Sequence, residues 1–170
     1  MGVIAETERL VLRSWVPADA DALLEMYSDE RVTQYIPHVR LVDFPSAEAK
    51  VREMMELEAQ RGFTLWAVVE RDTGELAGVC GFRSSPAELQ LEIGFAFRRA
   101  SWGQGYAREA ATACLRWAEE TLGMRRAVAS VRPENIASRR VLDSLGFADT
   151  GLRSEDGAWC IYESVRHSAA

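Results

Sequence analysis

The stretch Ser101–Ala110, SWGQGYAREA, places two glycines one residue apart directly before a long alanine-rich run. The apolar spacing in that run predicts a helix from about Tyr106 to Thr121. The N-terminus of a helix has unpaired N–H groups and partial positive charge, and glycines in front of it allow an anion to come close. Gly103 and Gly105 therefore predict either a simple strand-to-helix turn or a binding site for phosphate.

Two well-known phosphate motifs do not fit this loop. The P-loop pattern needs a lysine after its last glycine, and none follows Gly105. The dinucleotide fingerprint needs a third small residue at the position where Arg108 stands. A P-loop nucleotide hydrolase is thereby excluded, and another kind of nucleotide-binding α/β protein stays as one alternative interpretation.

Periodic segments on both sides of the loop alternate between strands and helices. In chain order they predict a strand, two helices, three strands, a helix, a strand, a helix and two strands. Ser46 is the predicted N-cap of the second helix, and Asp72–Gly74 marks a hairpin turn between two apolar strands. Hairpins plus one crossover helix predict an α+β (mixed α/β) fold, with a mixed, mostly antiparallel sheet of about seven strands and helices on both faces.

The composition indicates one globular domain over residues 1–170. A net charge of −6 and a pI of about 5.1 argue against nucleic acid as a partner. No apolar run is long enough to span a membrane and no signal-peptide pattern is present, so we expect a cytoplasmic protein that binds no membrane. Cys80, Cys114 and Cys160 do not have the spacing of a zinc site, so we expect buried thiols and no metal.

The segment Leu91–Glu109, LEIGFAFRRASWGQGYARE, resembles the central motif of the GNAT superfamily of N-acetyltransferases. Gly105 and Ala107 match the last two fixed positions of the superfamily pattern, Gln/Arg-x-x-Gly-x-Gly/Ala. Trp102 stands at the first position of that pattern. Tryptophan at this position, in place of Gln or Arg, is typical of the branch of ribosomal-protein N-terminal acetyltransferases, the RimJ and RimL type. The departure from the superfamily pattern therefore makes the resemblance to this branch more specific.

Two further segments resemble the same branch. Val131–Phe147 is similar to its downstream motif, with Asn135 and Ser138 at the characteristic places, and Thr7–Leu23 is similar to its N-terminal segment. The resemblance implies the GNAT fold and acetyl-CoA as co-substrate, with the pyrophosphate on the backbone N–H groups of about Gly103 to Ala107. The donor-binding residues that it implies are Ile93, Gly94, Phe95, Trp102, Gly103, Gln104, Gly105, Tyr106, Ala107, Asn135 and Ser138.

Acetyl transfer requires the amine to lose a proton and the thiolate to leave. Glu92 is the candidate base, because the resemblance places its strand beside the thioester; an exposed strand residue is the alternative interpretation. Ser138 is the candidate acid at the sulfur, although Asn135 and Ser138 together also fit a helix cap. Glu109 lies in the first turn of its helix, where we interpret it as stabilising the dipole and not as a base.

The irregular segment from about Asp29 to Pro45 corresponds to a part of the family that forms the acceptor pocket. Tyr35 and His38 are therefore candidate acceptor-binding residues, and Trp66 is a third, with core packing as its alternative. The predicted function is transfer of acetyl from acetyl-CoA to a primary amine, of a protein N-terminus, an amino acid or a small amine, in a ternary complex. A non-catalytic acyl-CoA-binding module is the alternative, and both a monomer and a homodimer remain open.

Overall fold

The computed structural model describes residues 2–84 and 90–165. This part of the chain contains eight strands and five α-helices, with short 3-10 helices in three of the connections. The strands are β1 Val3–Glu6, β2 Leu10–Arg13, β3 Leu65–Glu70, β4 Leu76–Ser84, β5 Leu91–Phe97, β6 Arg126–Val131, β7 Ala148–Arg153 and β8 Cys160–Val165. The helices are α1 Ala20–Ser28, α2 Glu30–Thr33, α3 Phe44–Arg61, α4 Tyr106–Leu122 and α5 Ile136–Ser144.

One sheet holds the eight described strands in the spatial order β1-β2-β3-β4-β5-β6-β8-β7. Every neighbouring pair is antiparallel except β5 with β6, which is parallel. A parallel pair needs a crossover connection, and α4 supplies it between β5 and β6. The predicted mixed, mostly antiparallel sheet is confirmed, with eight strands where about seven were expected.

Two hydrophobic cores lie on opposite faces of this sheet. Along β3, Val68 belongs to the core under α4 and the next residue, Val69, to the core under α1 and α3, as the alternation of a strand requires. Ala111 of α4 and Val51 of α3 are almost fully buried in the two cores. The predicted helices on both faces are confirmed.

The three cysteines are free and buried, as predicted. The Sγ atoms of Cys80 and Cys114 lie 3.5 Å apart between β4 and α4. Burial, and then the neighbouring Cys80, raise the pKa of the Cys114 thiol. The thiol form is therefore favoured there, which suits small apolar side chains packed in a core.

Three elements differ from the prediction, and one of them is α2, a single helical turn inside the segment that was expected to be irregular. β1 was not predicted, because a four-residue edge strand with no buried residue carries little periodicity. α3 is capped by Asp43, whose Oδ1 accepts a hydrogen bond from the backbone N–H of Ser46 at 2.9 Å. Ser46 is the third residue of the helix, and its hydroxyl accepts from the Asp43 N–H at 3.2 Å, so it is the reciprocal partner of the cap.

Candidate functional site

The two parallel strands at the centre of the sheet separate soon after they begin. β5 and β6 pair only at Leu91 with Ala127 and at Glu92 with Val128. From Ile93 onward β5 stays paired with β4 on its other edge, whereas β6 continues beside β8. The backbone N–H and C=O groups on the open edge of β5 therefore face a wedge between the two strands, where a ligand could satisfy them.

A cavity of about 410 Å³, called here the larger cavity, lies at the open end of this wedge. It is bounded by the end of β5, the glycine loop (residues 101–105), the starts of α4 and α5, and the segment after α2. Its volume is typical of sites that bind small molecules. The predicted donor-binding residues that line it are Phe95, Trp102, Gly103, Gly105, Tyr106, Ala107, Asn135 and Ser138.

The glycine loop places a row of free backbone donors beside the larger cavity. Gly103 and Gly105 have φ angles of 74° and 81°, in the left-handed region where a residue with a Cβ is strained. Among the described residues, none accepts a hydrogen bond from the N–H groups of residues 103–108, and no side chain caps α4. These donors and the helix dipole together suit an anion such as a pyrophosphate.

An ion pair ties the glycine loop to the N-terminal strands. The Arg9 Nε donates to the Glu109 Oε2 at 2.8 Å, and the Arg9 Nη1 donates to the Gln104 carbonyl oxygen at 2.9 Å. Partial burial raises the pKa of Glu109, but hydrogen bonds from Thr7 and Arg9 outweigh it, so the pKa is lowered. The stabilising contribution of Glu109 is therefore present at neutral pH and is lost as the pH falls through this lowered pKa.

A second cavity of about 80 Å³, called here the smaller cavity, adjoins the larger one. Tyr35, Ile36, Phe95, Asn135 and Ser138 line both, so the two form one continuous cleft. The other residues that line the smaller cavity are His38, Arg83, Ile93, Gly94, Ala129, Ser130, Val131, Arg132, Leu142 and Trp159.

The start of α5 lies where the two cavities meet. The Asn135 Oδ1 accepts a hydrogen bond from the backbone N–H of Ser138 at 3.1 Å and so caps the helix. The cap uses the backbone of Ser138, and no described residue bonds to its hydroxyl. The hydroxyl is therefore free to contact a ligand at the junction.

Glu92 lies opposite Arg83 across β4 and β5, and the Arg83 Nη2 donates to the Glu92 Oε1 at 3.1 Å. The Glu92 side chain is 14% exposed and lines neither cavity, but it shares a strand face with Gly94, which lines the smaller one. A Cβ on Gly94 would lie 3.4 Å from the Arg83 Nη2. The Arg83 guanidinium therefore lies beside Gly94 at the edge of the cleft, bound to the Glu92 carboxylate.

Tyr35 and His38, two of the predicted acceptor residues, both line the smaller cavity. Burial, followed by the positive charges of Arg83 and Lys50, lowers the pKa of His38 from its ordinary 6.5. Its imidazole is therefore neutral at neutral pH and becomes charged only as the pH falls below that value.

Trp66, the third predicted acceptor residue, lies in the core and not at the cleft. It is fully buried, and its ring packs edge-on against Trp117 with the ring centroids 4.6 Å apart. Its Nε1 donates to the Glu58 Oε1 at 3.2 Å. The alternation of β3 turns this side chain toward α4, so the acceptor prediction is corrected in favour of core packing.

The structure also changes the set of cleft residues. Gln104 lines neither cavity; its side chain donates to the Ala100 carbonyl oxygen at 3.0 Å. Arg83, Arg132 and Trp159 line the smaller cavity and were not predicted. Their positions in the cleft depend on which strands pair. The one local signal in the sequence was an aromatic residue, Trp159, directly before the last strand.

Within residues 2–84 and 90–165, no three His, Cys, Asp or Glu side chains come together as a metal site. No helix in the same ranges has the length and apolar character needed to cross a membrane.

Comparison with known proteins gives the family. The family model of the acetyltransferase (GNAT) domain matches residues 9–148. The uncharacterized N-acetyltransferase p20 of Bacillus licheniformis is 33% identical over 147 residues, which cover 86% of this chain and 83% of that protein. The ribosomal protein uS5-alanine N-acetyltransferase of Escherichia coli K12 is 27% identical over 164 residues, covering 90% and 84%.

The fold is shared with solved acetyltransferases. RimL, a ribosomal L7/L12 alpha-N-protein acetyltransferase solved in complex with coenzyme A, superposes with a TM-score of 0.81 over 96% of this chain and 97% of that one, at 21% identity. That likeness concerns the fold, whereas the family model also matches most of the sequence, including the glycine loop. The chain therefore belongs to the GNAT family of acetyltransferases.

Proposed function

We propose that this acetyltransferase transfers the acetyl group of acetyl-CoA to a primary amine by direct attack in a ternary complex. One observation carries the proposal. The free N–H groups of residues 103–108 lie beside the larger cavity, at the open end of the wedge between β5 and β6, and the cleft continues into the smaller cavity. A long donor and a separate acceptor can then be held end to end, which contributes a large part of the acceleration. The solved RimL complex with coenzyme A supports this choice of donor.

In this proposal different parts of the cleft bind different parts of acetyl-CoA. The N–H groups of residues 103–108 bind the pyrophosphate, and the open edge of β5 runs beside the pantetheine arm. The backbone N–H groups around Ile93 and Gly94 donate toward the acetyl carbonyl oxygen, where negative charge develops. The Ser138 hydroxyl, at the junction of the two cavities, contacts the sulfur and stabilises the departing thiolate.

An ammonium acceptor loses a first proton before the attack, and the nitrogen loses a second as the amide forms; the second proton is balanced by the one that the sulfur gains. The amine nitrogen bonds to the carbonyl carbon, the carbon–sulfur bond breaks, and its electron pair leaves on sulfur as a thiolate that is then protonated. We assign the first proton to Glu92 through a water molecule, because its carboxylate lies near the smaller cavity without lining it. An α-amine, with a pKa of about 8, is a better nucleophile at neutral pH than a lysine amine, near 10.4.

The direct test is release of free thiol from acetyl-CoA in the presence of a panel of primary amines, together with the Kd for acetyl-CoA. We expect binding and amine-dependent release. Binding without release on any amine would instead support a non-catalytic acyl-CoA-binding module. Protection against heating by ATP or NAD but not by acetyl-CoA would support a nucleotide-binding protein.

Glu92→Gln should lower kcat at neutral pH by about 100-fold, the usual contribution of a general base. Glutamine keeps the size of the side chain and can still accept from Arg83, but it cannot take the proton. Above the pKa of the amine the nucleophile is already neutral, so the deficit should shrink as the pH rises. Steady-state rates of both enzymes across this pH range measure the effect.

Glu163→Gln is the matched control. Glu163 also accepts from a strand arginine, with the Arg126 Nε at 2.7 Å from its Oε1, and it lines neither cavity. We expect its kcat to stay within about twofold of wild type, as for surface substitutions away from a site. A Glu92→Gln deficit that is the same at every pH would show a positioning role, and His38 would become the candidate proton acceptor.

A further inference from the structure

We propose that the acceptor amine carries an anionic group, a carboxylate or a phosphate, which Arg83 and Arg132 bind in the smaller cavity. The inference rests on the proposed function, since it names the class of acceptor for the same cleft. The inference starts from a difference in charge between the whole chain, which is acidic, and the lining of the cleft, which is basic. The chain has 26 acidic and 20 basic residues, yet no described Asp or Glu lines either cavity, whereas Arg31, Arg83 and Arg132 do.

The position of the arginines separates them from the donor phosphates. Arg83 and Arg132 line only the smaller cavity, and the glycine loop lines only the larger one. The two cavities meet at Phe95 and Ser138, where the sulfur is placed, and the acetyl carbonyl lies just inside the smaller cavity, beside Ile93 and Gly94. The two guanidinium groups therefore lie on the acceptor side of the reaction, where the pyrophosphate does not reach.

Both guanidinium groups are held in place before a ligand arrives. The Arg83 Nη2 is bound to the Glu92 carboxylate at 3.1 Å, beside Gly94. The Arg132 guanidinium lies 4.8 Å from the centroid of the Trp159 ring, to which it is attracted as a cation over an aromatic face. Side chains that are fixed in this way lose less entropy when they bind.

The N–H donors of the Arg132 guanidinium are available to a ligand. No described residue accepts a hydrogen bond from its guanidinium, and its contact with Trp159 uses the face of the group and not its N–H edge. The planar fork of an arginine matches the two oxygens of a carboxylate or phosphate. The charge of Glu92 offsets that of Arg83. Arg132 interacts electrostatically with Asp156, but that carboxylate lines neither cavity and accepts its hydrogen bonds from Ser154 and Ala158. The N–H edge of Arg132 therefore remains available to a ligand, and Arg132 is the residue to test.

The positive charge of the cavity lining also disfavours acceptors that carry several positive charges. A polyamine or an aminoglycoside would bring several positive charges to a cavity that has arginines and no lining carboxylate among the described residues. Like charges at short range repel, and the desolvated cleft strengthens that repulsion. The smaller cavity, of about 80 Å³, opens into the larger one, so an amine with a short anionic substituent can enter it.

The experiment compares acceptors with and without the anionic group. Rates are expressed per concentration of neutral amine, because a neighbouring anion also raises the pKa of the amine. Thiol release from acetyl-CoA is measured with L-amino acids against their carboxamides, phosphoethanolamine against ethanolamine, and spermidine as the cationic probe. We expect kcat/KM to be roughly 10- to 100-fold higher for the anionic member of at least one pair, the size of a lost charge-assisted hydrogen bond. The amino-acid and phosphoethanolamine pairs show which anion is preferred.

Arg132→Gln should remove that preference. For the anionic acceptor kcat/KM should fall roughly 10- to 100-fold. For the neutral acceptor kcat/KM should change less than about twofold, and so should the Kd of acetyl-CoA. Arg116→Gln, an exposed arginine of α4 that lines neither cavity, is the matched control and should change nothing. An equal loss on both acceptors would mean that Arg132 only supports Trp159, and would overturn the assignment.

The two levels of the proposal fail differently. Release that is equal for both members of every pair, or faster with spermidine, would overturn the anionic acceptor and leave the acetyltransferase reaction standing. Binding of acetyl-CoA without release on any amine would overturn the proposed function, and the acceptor class with it.

Discussion

Gly105→Val should weaken binding of acetyl-CoA by at least about 100-fold and leave the fold intact. Gly105 has a φ of 81°, and a β-branched residue is strongly disfavoured there, so the loop must shift. The shift moves the N–H groups of residues 103–108 away from the pyrophosphate. The loss of two hydrogen bonds to a charged group, about 1.5 kcal/mol each, accounts for the factor of 100. Calorimetric titration with acetyl-CoA measures the Kd.

Gly123→Val separates the binding effect from backbone strain. Gly123 has a φ of 66° at the other end of the same helix, and no atom lies within 4 Å of a Cβ built there. The two variants should lose a similar free energy of unfolding, about 1–2 kcal/mol, since both force a left-handed conformation on valine. Only Gly105→Val should lose binding. A Gly105→Val protein that binds acetyl-CoA as wild type does would remove the glycine loop from the donor site.

Trp66→Ala should lower the free energy of unfolding by about 3–5 kcal/mol, the usual cost of removing a large buried aromatic side chain. Trp66 is fully buried between β3 and α4, and its ring packs against both Phe82 and Trp117. The cavity left behind cannot fill without movement of α4. Denaturant unfolding followed by circular dichroism measures the loss, which corresponds to a fall in Tm of roughly 6–20 °C.

Trp66→Phe tests whether this residue has any role in acceptor binding. Phenylalanine keeps most of the packing and removes the hydrogen bond from the Nε1 to the Glu58 Oε1, so we expect a loss of only about 1 kcal/mol. Because Trp66 lines neither cavity, KM for the acceptor should be unchanged. A raised acceptor KM with a nearly normal Tm would return Trp66 to the acceptor site.

The residues that could be predicted from the sequence are those whose role is set by near neighbours. Gly105 and Gly103 precede a helix, and the two φ angles confirm the turn that this position implies. Asn135 is three residues before Ser138, and the structure shows the cap that this spacing predicts. β1 lacked such a signal, because it is short, lies at the edge of the sheet and buries none of its residues.

The sequence by itself determined the glycine loop, the apolar face of α4, the order of most elements and the resemblance to the family. Turn geometry and helix periodicity depend on residues within a few positions of one another, so they can be read along the chain. Tertiary structure alone decided that Arg83 faces Glu92, that Arg132 meets Trp159, and that Trp66 lies in the core. These contacts depend on which strands become neighbours and in what register, and a shift of one residue would turn each side chain to the opposite face.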